Sequence, residues 1–79
     1  MYALNLNLGK DINRIMLNQM CVIGGTNGFE VGAKLSIDYG YLLTFKSDKG
    51  TNFTKLIEEL KNVCESYGVD YVSLITDES

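Results

Sequence analysis

The residues best suited to chemistry in this chain are two cysteines, a few carboxylates and a set of glycines. Cys21 and Cys64 stand 43 residues apart, and neither belongs to a Cys-x-x-Cys pair. The chain has no His, so Ser-His-Asp and Cys-His constellations are excluded within it, as is a zinc site completed by imidazole. Cys64 falls on an apolar helical stripe and Cys21 lies beside Val22 and Ile23, where burial raises a thiol pKa instead of activating the sulfur. Glu58 and Glu59 are adjacent, and neighbours on a helix do not face one another, so they make no acid/base pair. Asp38, Asp48 and Asp70 stand alone at expected element ends, where Asp commonly caps turns, and no EF-hand spacing is present. Gly24, Gly25, Gly28 and Gly32 match neither G-x-G-x-x-G nor a Walker loop. They also precede a strand, not a helix N-terminus, so no phosphate cradle is expected. The reading is a non-enzymatic chain with no catalytic, cofactor or metal site.

Composition narrows the class further. The 79 residues are 46% hydrophobic and 22% charged, with no Pro, His or Trp. That suits one folded domain, read as a single α+β domain over residues 1–79. A chain of this length is marginal alone, and without a disulfide framework it must rely on tight packing or on association. The net charge of −3 speaks against direct nucleic-acid binding driven by phosphate contacts. The charge is uneven: residues 1–57 are slightly basic, whereas Glu58, Glu59, Glu65, Asp70, Asp77 and Glu78 face only Lys61 in the remainder. With no secretory pattern and no 18-residue apolar run, the expected setting is cytoplasmic, with reduced thiols and no membrane.

The elements that must position these residues follow from periodicity. Tyr2, Leu4, Leu6 and Leu8 alternate with Ala3, Asn5 and Asn7, a half-buried strand. Asp11 is placed to cap a short helix over residues 12–20, carried by Ile12, Ile15, Met16 and Met20. Residues 20–23 run into Asn27-Gly28, a hairpin signal of type I′, so residues 20–26 read as a strand, a loop or an extra edge. Residues 29–38 alternate with Phe29, Val31, Ala33, Leu35 and Ile37 on the core face, and a turn at Tyr39-Gly40 leads to a strand with Tyr41, Leu43 and Phe45 inward. Thr51 or Asn52 caps a long helix whose stripe is Phe53, Leu56, Ile57, Leu60, Cys64 and Tyr67, ended by Gly68. Residues 69–76 read as a last strand and 77–79 as a tail. The expected fold is α+β: an antiparallel β-sheet with one long and one short helix on one face. If residues 20–26 are a loop or an extra strand, the order becomes βαββαβ, ferredoxin-like with an extra strand.

Partner surfaces are then the remaining source of function. The sheet face opposite the core carries Asn5, Asn7 and Leu42 among small polar residues, suited to hydrogen-bonding a protein partner or a twin copy. The acidic helix face carries Glu58, Glu59 and Glu65. Residues 20–27 hold no charge and no Pro and lack the usual protection of an edge strand. Gly40-Tyr-Leu-Leu-Thr-Phe45 matches the RNA-recognition strand only in part, because Tyr41 and Phe45 share the core face with Leu43. As a short, acidic, Asn-rich chain without Pro, His or Trp, the sequence resembles phage-encoded inhibitors, including anti-CRISPR proteins, in style and not in any motif. That resemblance implies occlusion of another protein's surface. The alternative is a ferredoxin-like, dimeric ligand-binding or regulatory domain, and after it a weak RNA binder.

Overall fold

The computed structural model describes residues 1–49 and 52–78, with side chains for 1–49 and 52–76. The chain runs β1 (Tyr2–Gly9), α1 (Arg14–Thr26), β2 (Glu30–Ser36), β3 (Gly40–Ser47), α2 (Phe53–Ser66), α3 (Tyr71–Leu74) and β4 (Ile75–Glu78). The four strands form one antiparallel sheet in the order β2-β3-β1-β4, with the helices packed on it. The α+β class and the antiparallel sheet expected from the sequence are therefore present.

β1 is the spine of the sheet. Its alternation puts Leu4, Leu6 and Leu8 into the core and leaves Ala3, Asn5 and Asn7 half-buried on the other face. Leu4 lies opposite Phe45 and Leu6 opposite Leu43, and these four side chains are essentially sealed from solvent. Met16 and Met20 of α1 and Leu56, Leu60 and Cys64 of α2 close the same core. Phe53 opens α2 between Tyr2 and Phe29, with ring centroids 5.5 and 6.1 Å away.

Four expectations change. The first helix starts one turn's fraction later and ends much later: Asn13, not Asp11, caps it by accepting from Ile15 N at 2.8 Å. Residues 20–26 then continue the helix, so there is no strand or edge there. Met16, Met20 and Gly24 are buried while Asn18 and Val22 between them are exposed, whereas a strand would put all five on one face. Asn27-Gly28 is a helix stop, not a hairpin turn. Gly28 takes φ 80°, its N–H bonds Gly25 O at 3.0 Å, and Phe29 N–H bonds Gly24 O at 2.9 Å, which is the Schellman pattern. α2 ends the same way at Gly68, with Val69 N–H on Cys64 O at 2.8 Å and Gly68 N–H on Glu65 O at 3.1 Å.

The second change is at the hairpin. β2 stops at Ser36, and Ile37, Asp38 and Tyr39 form the turn. Ala33, Leu35 and Ile37, expected inward, are exposed, because β2 is the outer strand and the helical cover reaches only its first residues. Third, residues 71–74 form the single turn α3, capped by Asp70, whose carboxylate accepts from Val72 N at 3.2 Å. The last strand starts only at Ile75 and takes in 77 and 78, which were expected as tail. Fourth, Asn52 occupies the cap position of α2, but its side chain makes no cap hydrogen bond; Thr51 lies outside the described residues.

The approach of α1 to the sheet depends on one missing side chain. A Cβ on Gly24 would stand 2.6 Å from ring carbons of Phe45 and from a methyl of Val31. Gly25, the next residue, has open space in that direction. Gly24→Ala must displace a fully buried ring, and overpacking of about 1–3 kcal/mol outweighs the helix-propensity gain of about 1 kcal/mol. Urea denaturation should show Gly24→Ala destabilising and Gly25→Ala stabilising by about 0.5–1 kcal/mol. The same sign for both would mean that α1 does not sit this close to Phe45.

Candidate functional site

α1 and α2 lie side by side and antiparallel. Asn27, at the end of α1, reaches Glu59 near the start of α2, while Ile15, near the start of α1, shares a groove with Tyr67 at the end of α2. Asn27 is buried, and both Nδ2 hydrogens are used. Its Nδ2 donates to Ile23 O at 2.8 Å and to Glu59 Oε2 at 2.7 Å, and its backbone carbonyl accepts from Asn52 Nδ2 at 3.3 Å. A buried amide left unpaired is costly, so these bonds hold the two helices in register.

Along the remainder of the helix pair runs an open groove of about 750 Å³, lined by Ile15, Asn18, Gln19, Val22, Ile23, Asn62, Val63, Ser66 and Tyr67. Its described lining is apolar side chains, amides and hydroxyls, without a carboxylate, lysine or arginine. Ile15 and Val22 are 63% and 66% exposed. The spacing 15, 18, 19, 22 is that of one helix face. The face is legible only in a helix carried past residue 20; a helix over 12–20 leaves Val22 outside it.

The acidic residues expected to meet a partner do not act as one group. Glu58 and Glu65, seven apart, share the solvent side of α2 and are exposed, whereas Glu59 is half-buried and bonded to Asn27. Lys61 stands 5.7 Å from the Tyr71 ring centroid.

The polar residues expected on the sheet do come together. Asn5 lies opposite Thr44 and Asn7 opposite Leu42, all on the face away from the helices. Asn7 is engaged locally, its Oδ1 accepting from Gly9 N at 3.0 Å, and the Asn5 backbone carbonyl accepts from Thr76 Oγ1 at 3.1 Å. A depression of about 370 Å³ lies over Gly32, between Glu30, Lys34, Leu42, Thr44 and Lys46. The described residues of this face include no aromatic ring, and Phe45 is buried on the other side. The two sets of expected partner residues therefore lie on opposite faces of the molecule.

Both thiols are free; Cys64 is buried and Cys21 half-buried. Burial pushes both above the usual thiol range, and the carboxylate of Asp70 pushes Cys64 further. They are thus poor nucleophiles at neutral pH. Among the described residues no cluster of three Cys, Asp or Glu is placed to hold a metal ion, and no helix is long and apolar enough to cross a membrane. No protein-family model matches the chain, and no curated protein or solved structure matches it either.

Two measurements check this geometry. In a double-mutant cycle, Asn27→Ala and Glu59→Ala should show a coupling of about 1 kcal/mol; additive losses would place the Glu59 carboxylate in solvent. The thiols make stability fall in alkali. The unfolded chain loses thiol protons near the ordinary value of 9.0, while the folded chain holds them to higher pH. The full contribution is present below pH 9 and is lost as pH rises through the folded values. A urea midpoint that does not drop above pH 9, or that drops equally in a Cys21→Ser, Cys64→Ala variant, would contradict this.

Proposed function

We propose that the protein is a non-catalytic binding module that covers a surface of another protein, with the α1–α2 groove as its contact surface. The observation that carries this reading is the pair of exposed branched side chains, Ile15 and Val22, bordering a groove without charged lining. Apolar side chains grouped in this way mark interaction sites more than single scattered ones do. The occupant that fits is an amphipathic helix presenting an uncharged apolar stripe, because a charge buried against these residues would find no counter-charge. The walls are too exposed for a small molecule, which a pocket normally encloses over most of its surface. Such a module works by occlusion, which agrees with the resemblance in composition to phage-encoded inhibitors.

A second reading, a ferredoxin-like ligand-binding or regulatory domain, is favoured by the element order βαββαβ, with α3 as an added turn, and by the strand order β2-β3-β1-β4.

Tagged protein, incubated with extract of its native cells, should retain a partner that is lost with Ile15→Asp or Val22→Asp and kept with the double variant Glu58→Lys, Glu65→Lys. Adding the wild-type chain in equimolar amount should lower that partner's activity. Glu59 stays unchanged in this test because its carboxylate serves the fold. Retention that is indifferent to Ile15 and Val22 but lost on reversing Glu58 and Glu65 would overturn the groove in favour of the acidic face.

A further inference from the structure

The two edges of the sheet differ. β4 has four residues and pairs with β1 through an irregular register, the short and uneven form by which sheet edges avoid other chains. β2 has seven residues in unbroken register with β3 and, among the described residues, no strand on its outer side. The chain contains no Pro to interrupt it. The two charges on this edge are Glu30 and Lys34, both on the face away from the helices and equally spaced about Gly32.

From this we infer that β2 pairs antiparallel with β2 of a second copy of the chain, centred on Gly32, so that two four-stranded sheets join into one of eight. In an antiparallel pair related by a twofold axis, residues directly opposite lie on the same face. Centring on Gly32 sets Glu30 against Lys34 of the second copy and Lys34 against its Glu30. Shifting the axis to Ala33 sets Lys34 against Gly32 and Glu30 against Ser36; shifting it to Val31 sets Glu30 against Gly32. Only the Gly32 register among these neighbours pairs both charges. A lysine alone on an edge repels a copy of itself, whereas this symmetric Glu–Lys arrangement attracts one.

The same register serves the apolar side. It places Ala33 opposite Val31 and Leu35, 65% exposed in the single chain, opposite Phe29. Within one chain Lys34 faces Leu42 and Glu30 faces Lys46, so Lys34 gains an acidic neighbour across the strands only through the second copy. Gly32 has open space at its Cβ position, which leaves the axis unobstructed. The inference deepens the ferredoxin-like reading and leaves the α1–α2 groove free in each copy.

Sedimentation equilibrium tests it. The wild type should approach twice its 8.8 kDa monomer mass within the micromolar to millimolar range. Glu30→Lys and Lys34→Glu should each weaken association by about tenfold, since each sets like charges against one another at two symmetric places. The double variant Glu30→Lys, Lys34→Glu should restore it. Both side chains are exposed, so circular dichroism should report the same fold in all four proteins. A wild type still monomeric at millimolar concentration overturns the inference and the dimeric form of the ferredoxin-like reading together. A dimer indifferent to the single variants, or not restored by the double, overturns the register while leaving a dimer of another geometry.

Discussion

The structure depends on how closely α1 can lie on the sheet, and that closeness is set by Gly24 against Phe45 and Val31. Any side chain at residue 24 would lift the C-terminal half of α1 away from the strands. With the glycine there, Met16 and Met20 reach the core, and Phe45 is sealed beneath the helix. The helix then has to stop at once so that β2 can start beside it. The positive φ of Gly28 and the two Schellman hydrogen bonds provide that stop.

Where α1 ends also decides where α2 lies. Asn27 is buried by the stop and must find partners, and it finds them in Ile23 and Glu59. A side-chain bond spanning 32 residues of sequence thus aligns the two helices. Their alignment leaves Ile15 and Val22 beside Val63 and Tyr67, which creates the uncharged groove. The helices cover the centre of the sheet more fully than its β2 side, so Ala33 and Leu35 remain uncovered on an open edge. The groove and the edge both follow from how two helices are laid on four strands.

Much of this was legible from the chain itself. β1, the β2–β3 hairpin and α2 follow from plain two-residue and 3.6-residue periodicities, and Gly68 stops α2 as its type and position indicate. The length of α1 is not legible locally, for a definite reason. A short apolar run such as 20–23 fits a strand or a helix equally, and Asn27-Gly28 serves any motif that needs positive φ, whether a type I′ turn or a Schellman stop. The exposure of Asn18 and Val22 between the buried Met16, Met20 and Gly24 separates the two, but only once the sheet under the helix is known. α3 is a single turn and too short for a periodic signal. Of the partner residues, Asn5, Asn7 and Leu42 were placed on one face by strand parity alone. The engagement of Glu59 was invisible because its partner is distant in sequence.

Groove, core and sheet cover all require residues 14–26 to form one continuous helix, closed at Asn27 and tied there to α2. NMR of the labelled chain tests it most directly. Helical Cα shifts and protected amides should extend through Ile23 and Gly24 to Thr26, and one Asn27 side-chain NH₂ resonance should move on Glu59→Gln. Extended-type shifts over residues 20–23, with an Asn27 side chain insensitive to Glu59, would contradict it and remove the groove with it.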